Sequence, residues 1–315
     1  MLRYTLWRVV WVMPVLFGVS VAVFLMLHVL PADPLQVMLV QTSSGQVPTA
    51  QGTEQLLAQL RSELGLDQPL YVQFGRFLWD VLTGSLGQSY RSQEPVSRML
   101  AAQYPYTVRL ALSGLACAIV LGLGFGILAG LKPGSWVDRV SMLLASIGIS
   151  APIFWLGLML IWLFAVTWEL LPVLGTGSAA ALILPAVTLG LPGAAIIARL
   201  TRQNLAATFK EDFITTARAK GLPGRIILLK HALPNVMLPV LTIVGLQFGN
   251  LMTGTVIVET VFSRPGIGRM GVNAILQSDY PVVQGFALVI AATYVVANLV
   301  VDLAYTRIDP RIRYD

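Results

Sequence analysis

Apolar residues run through this chain in blocks too long for the core of a soluble domain. Six stretches hold little else: Val9 to Leu30, Leu110 to Leu131, Val140 to Thr167, Ala181 to Ala198, Val236 to Val258 and Gln284 to Val301. A hydrocarbon layer about 30 Å thick is crossed by about 20 helical residues, each rising about 1.5 Å, so the pattern predicts an all-α integral membrane protein with six transmembrane helices. The third stretch exceeds one crossing, and Pro152 within it lacks a backbone donor, which predicts a kink or an interruption. Pro185 and Pro192 make the fourth the least regular of the six. Arg3 and Arg8 precede the first block as in a signal peptide, but its apolar run is too long and no small-residue cleavage pattern follows, so it is expected to stay as a helix.

The longest polar interval, Pro31 to Pro105, has helical periodicity of its own. TEQLLAQLRSELG predicts a helix with Thr53 as N-cap, Leu56, Leu57, Leu60 and Leu64 on one face and Gly65 as a stop. PLYVQFGRFLWDVLTG, from Pro69, predicts a second, amphipathic helix. Two apolar helix faces need something to cover, which favours an outer scaffold over a solvated insertion. The organisation expected is a first helix in 1–30, an extracytoplasmic helical insertion in 31–105, and a five-helix core in 106–315 that contains a cytoplasmic loop, 199–235.

Charge sets the orientation. Of the 21 Lys and Arg, only Arg61, Arg76, Arg91, Arg98, Arg109, Arg264 and Arg269 lie outside if the N-terminus is inside, so both termini are expected in the cytoplasm. The hydrophobic fraction of 56%, the charged fraction of 11% and a mean hydropathy of +0.75 agree with a membrane protein. A net charge of +6 fits basic loops at an anionic lipid face; no basic groove with interleaved aromatics points to nucleic acid. Cys117 is the single cysteine, so no intrachain disulfide forms, and neither His28 nor His231 has a second ligand at metal-binding spacing.

One loop is denser in signals than any other. In TFKEDFITTARAKGLPG, Thr208 and Glu211 have capping-box spacing, Glu211 and Asp212 fall in the first turn, Arg218 and Lys220 in the last, and Gly221 and Pro223 stop the helix. A rod of about twelve residues, about 18 Å, is predicted, with Phe213, Ile214 and Ala217 on one side. Such a helix either plugs a groove in another protein or lies on the lipid surface; acids leading and bases trailing favour the groove.

Polar residues also interrupt the spans. Gln247, Asn250 and Gly254 share one face of the fifth, with Thr253 beside them, and Tyr294, Asn298 and Asp302 share one face of the sixth. Lipid cannot satisfy their polar groups, so they either bind helices together or line a watery path. Asp302 and Arg307 are spaced for a local ion pair. Gly122, Gly126 and Gly130 in the second span, and Gly245 and Gly249 in the fifth, predict close helix contacts. Turn chemistry explains the Pro and Gly of SRPGIGRMG, where Arg264 and Arg269 are the exceptions.

These motifs resemble a known family. Ala217, Gly221, Leu233 and Pro234 match the loop motif of permease subunits of binding-protein-dependent ABC importers, with departures at Thr215, Thr216 and His231. ETVFSRPGIGRMGVNAILQSDYPVVQG from Glu259, VDLAYTRIDPRIR from Val301, and MLRYTLWRVV with LPADP resemble the dipeptide, oligopeptide and nickel branch in order along almost the whole chain. The resemblance implies the type I importer permease fold in a bacterial or archaeal cytoplasmic membrane. It makes residues 208 to 221 a coupling helix docked on an ABC ATPase subunit. It implies as partners a second homologous permease, two ATPases and an extracytoplasmic binding protein, whose acidic rim Arg264 and Arg269 would meet, and it implies a pathway half-lined by this chain. No phosphate loop of the G-x-x-x-x-G-K-[ST] type occurs, so the chain is expected to be non-catalytic and without a cofactor, ATP and Mg belonging to its partners. A gradient-driven secondary transporter is the alternative, but the spans hold almost no ionisable group except Asp302 near an end.

Overall fold

The computed structural model describes residues 2–29, 62, 67–173, 175 and 178–308. Among these residues the chain is helical, with one isolated bridge, Gln88 to Pro95, in place of any sheet. Four helices are long and apolar enough to cross a membrane: Val96–Leu131, Ala180–Thr208, Gly224–Val261 and Tyr280–Val301. A bent pair, Trp136–Ser150 with Ile153–Thr167, makes a fifth if counted as one span. The first predicted span is a helix, Leu2–Val29, of 28 residues. The helix expected from Thr53 to Gly65 lies, apart from Ser62, outside the described residues, as does the pairing of Asp302 with Arg307.

The residues divide into two compact units, Tyr106–Pro265 with Val296 onward, and Leu2–Pro105 with Gly266–Val295. In the second of these, α1 (Leu2–Val29) is met by α2 (Leu70–Leu82), the amphipathic helix predicted from Pro69. The ring of Phe74 lies 5.2 Å from that of Phe24 and 6.0 Å from that of Phe17, both edge-on. The apolar face of α2 therefore covers α1. Farther along, Val96 and Leu100 open α3 (Val96–Leu131) and pack with Ile267 and Ala274 of α9 (Ile267–Leu276) and Val282 of α10 (Tyr280–Ile308). The segment before α3 is pinned by the buried Asp279, which accepts from Ser89 Oγ at 2.5 Å and from the Tyr90 N–H at 3.1 Å. Burial, with Asp279 and Tyr280 nearby, pushes the Tyr90 phenol above its usual range.

The first unit is organised around α6 (Ala180–Thr208), which is buried along most of its length despite Pro185 and Pro192. Its neighbours explain that. Gly122, Gly126 and Gly130 of α3 lie against Ile197, Thr201 and Leu205 of α6; a Cβ on Gly126 would stand 2.6 Å from Thr201 Cβ, so only glycine permits this approach. Matching steps of four on both helices make the two run parallel. On other sides α6 packs with α4 (Trp136–Ser150), α5 (Ile153–Leu160) and α8 (Leu233–Val261). The chain breaks at Pro152 as expected: Ala151 turns extended, Pro152 opens α5, and the two helices bend by 116°.

Two segments wind as π-helix, Ile161–Thr167 after α5 and Ile227–Ala232 before α8. In the first, the Trp168 N–H reaches back five residues to the Leu163 carbonyl at 3.1 Å. The second lies where Pro234 removes the N–H that the Lys230 carbonyl would accept in an α-helix. Asn235 compensates one turn on, donating its amide to the His231 carbonyl at 2.9 Å.

Candidate functional site

The loop after α6 folds into α7 (Asp212–Ala219), shorter than expected at 8 residues. The predicted capping box does not form. Thr208 is the last helical residue of α6, where its carbonyl accepts from the Glu211 N–H at 3.1 Å, so it lacks the extended backbone of an N-cap. Glu211 takes that position with ψ 149° and makes no side-chain capping bond. The stop, by contrast, follows the sequence. Gly221 has φ +75°, its N–H meets the Arg218 carbonyl at 2.9 Å, and the Leu222 N–H meets the Ala217 carbonyl at 3.3 Å. That pair of bonds is a Schellman closure, which puts its left-handed residue at glycine.

The apolar side of α7 is divided. Ile214 and Ala217 are buried in this chain's own core with Ile197 and Leu205 of α6, Ile227 and Ala232 of the π segment, and Val236 and Val240 of α8. They cannot also be the plug for another protein's groove. Phe213 points away and is 44% exposed, flanked by exposed Asp212, Thr216 and Lys220. Arg218 folds back with its guanidinium carbon 5.7 Å from the centre of the Phe209 ring. Thus α7 is fixed to both α6 and α8 and presents one aromatic outward.

Beside it, Arg202 of α6 forks onto Asp138 in the first turn of α4, Nε to Oδ1 at 2.8 Å and Nη2 to Oδ2 at 2.7 Å. The Gly134 N–H donates to Oδ2 at 2.8 Å, and Ser135 caps the helix by accepting from the Asp138 N–H. Sequence reasoning missed this pair; the signal available was an acid three residues after a serine, at the start of an apolar run.

The polar positions of the spans separate. Gln247 is buried against α6, where a Cβ on Gly193 would stand 3.6 Å from its Nε2, and Asn250 is exposed, its Nδ2 3.4 Å from Gln247 Oε1. The two were expected to share a role, and they differ in burial. Asn250 lies instead on an exposed stripe of α8 with Leu246, Thr253 and Ile257. On α10, Tyr294 is exposed and Asn298 half-buried. Arg199, expected in the loop, is part of the continuous helix α6.

Arg264 is the clearest correction. It was expected at an acidic rim, yet it is buried, with Nη1 donating to the Ala181 carbonyl at 2.9 Å and the Gly175 carbonyl at 3.1 Å. Burial pushes its guanidinium below the usual range, and the charge of Glu259 opposes that shift. Glu259 is itself fully buried and accepts from Thr107 Oγ1 at 2.6 Å. Arg269 is half-buried at the start of α9. Among the described residues no group of three or more His, Cys, Asp or Glu could hold a metal.

Comparison with known proteins accounts for this arrangement. Residues 122–314 match the model of the binding-protein-dependent transport system inner membrane component, and residues 1–111 match that of its N-terminal part. The glutathione transport system permease protein GsiC of Salmonella typhi is 41% identical over 314 residues, with 100% of both chains covered. The dipeptide transport system permease protein DppB of Alkalihalophilus pseudofirmus is 39% identical over 342 residues, again with 100% of both covered. Among solved structures, a chain of the inward-facing MetNI methionine ABC transporter aligns with a TM-score of 0.55 and 19% identity, over 70% of this chain and 99% of that one.

Proposed function

This chain belongs to the family of binding-protein-dependent transport system inner membrane components and is a permease subunit of an ABC importer; from that premise we propose that its cargo is a small peptide with free carboxylates. Similarity along the full length to permeases for glutathione and for dipeptides supports this cargo class. Membership in the family replaces the gradient-driven alternative. Both termini face the cytoplasm in this reading, by the distribution of Lys and Arg.

We further propose that α7 is the coupling helix, seated on an ATPase subunit that binds ATP and Mg, in an assembly with a second permease and an extracytoplasmic binding protein. The observation that carries this is the division of α7: Ile214 and Ala217 fix it to α6 and α8, and Phe213 is left outside. Force on Phe213 then moves two spans together. Asn250 and Thr253 on α8 are proposed to line the route, and Arg269 to meet the binding protein.

Reconstituted uptake of glutathione and dialanine, with co-purification of the ATPases, tests both readings. Phe213→Asp is expected to release the ATPases and abolish uptake while the permease still accumulates. Retained ATPases and normal uptake would refute the docking role. Import of neither peptide by the unaltered complex would refute the cargo. Ala217→Arg is a poor test because it strikes this chain's own core.

A further inference from the structure

Helix α6 is covered on nearly every side, yet one stripe of its C-terminal half is open: Ile196, Arg199, Gln203 and Ala207, at i, i+3, i+7 and i+11. Within that stripe stands a cation inside a membrane-spanning helix. Arg202, one turn on, has its charge met by Asp138. Arg199 is treated differently. Its Nη2 approaches Ser146 Oγ at 3.4 Å, and among the described residues no carboxylate pairs with it.

The direction of that contact matters. Ser146 lies eight residues beyond Asp138 on α4, about 12 Å along the helix, so the guanidinium reaches away from the Arg202–Asp138 level, toward the N-terminal half of α6. A lipid-facing arginine bends its head the other way, to the phosphates at the near surface. The lean is set by the helix, because side chains on α6 tilt toward its N-terminus. A charge without an anion needs water around it, and in a permease a watery face between spans is on the route.

We propose that Arg199 is a specificity-determining residue on the cytoplasmic half of the translocation route, where its guanidinium receives the carboxylate of the passing solute. The proposal rests on the peptide reading above. The charge of the guanidinium, which a lysine would also supply, attracts a carboxylate, which a neutral solute lacks. Exposure to water keeps such a contact weak, as release requires. By the antiparallel register of Gly193 against Gln247, Arg199 lies about 9 Å along α6 from that level, and Asn250 about 4.5 Å to its other side. A solute leaving the amide would next meet the cation.

The full importer is reconstituted in vesicles and given glutathione and dialanine. Arg199→Gln is expected to lower uptake at least tenfold, and Arg199→Lys to stay within about threefold, both with unchanged complex yield. Equal uptake by Arg199→Gln would overturn the proposal, and so would a loss matched by Arg199→Lys or by a fall in yield. A second arm needs no cargo. In a Cys117→Ser background, Arg199→Cys is exposed to a sulfonate-bearing, water-soluble thiol reagent and to a lipid-soluble maleimide, and the mass of this chain is read. Labelling by the sulfonate supports the aqueous placement; reaction with the maleimide alone overturns it. Should the unaltered complex import neither peptide, the cargo reading falls, and the labelling arm still decides where Arg199 stands.

Discussion

Arg202 grips Asp138 through two parallel hydrogen bonds, and through them the C-terminal part of α6 is tied to the first turn of α4. The carboxylate side chain is 4% exposed and the guanidinium 31%. Because α7 packs on α6, the fork adds a fixed link by which displacement of α7 reaches α4.

Asp138→Asn keeps the shape but leaves a partly buried cation without its counter-charge. Arg202→Lys keeps the charge but cannot fork. Each is expected to lower the melting temperature of the purified complex, and a double-mutant cycle on Asp138 and Arg202 should return a coupling of about 1–2 kcal/mol, reduced by the partial exposure of the arginine. Additive effects of the two changes would mean that the fork contributes nothing.

The glycine ridge of α3 predicts opposite effects for one chemical change. Gly126→Ala would place its Cβ 2.6 Å from Thr201 Cβ and 2.7 Å from the Ala198 carbonyl, both on a packed helix that cannot retreat. Gly124, two residues earlier, has nothing within 4 Å. Gly126→Ala should reduce folded yield severely, whereas Gly124→Ala should be neutral or stabilise by up to about 1 kcal/mol through helix propensity. Yields after detergent extraction, read by size exclusion, compare the two directly.

Gln247 and Asn250 should part company in the same way. Gln247→Leu removes a buried amide from the contact with Gly193 and is expected to cost stability with modest loss of uptake. Asn250→Leu removes the 3.4 Å donor to Gln247 but changes a side chain on an exposed face, and should reduce uptake in an assembled complex of nearly unchanged stability. Identical profiles for the two variants would return both to a packing role.

Four of the six spans, the break at Pro152, the glycine contacts and the left-handed stop at Gly221 were legible in the sequence because each depends on a backbone property or on the periodicity of one helix. What failed has a common cause. Thr208 had the right spacing for a cap, but α6 runs on through it, held by Leu205 against Gly130. Ile214, Ala217 and Gln247 looked outward-facing or path-lining from their own helix, and only the neighbouring helix shows that they are packed. Arg264 looked free because its partners are backbone carbonyls of residues 175 and 181, which leave no mark in a side-chain pattern. Asp138 with Arg202, and Thr107 with Glu259, are far apart in the chain and carry no local signature.

That last pair leads to the remaining prediction. Glu259 is fully buried near the C-terminal end of α8, accepts from Thr107 of α3, and lies close enough to Arg264 for its charge to oppose the effect of burial. Three elements therefore depend on one carboxylate: α3 through Thr107, the segment before α6 through Arg264, and α8 itself. Glu259→Leu would remove an acceptor from the Thr107 hydroxyl and a counter-charge from beside the buried guanidinium, at a cost of about 3–5 kcal/mol. Glu259→Gln keeps an acceptor for Thr107 and loses only the charge, so its cost should be smaller. A single nitrogen, Nη1, serves both carbonyls, so Arg264→Lys keeps a charged donor able to meet them and should cost no more than Glu259→Gln. Thermal unfolding of the detergent-solubilised chain orders the three variants; if Glu259→Gln proves as damaging as Glu259→Leu, the charge near Arg264, rather than the bond to Thr107, is what this buried acid supplies.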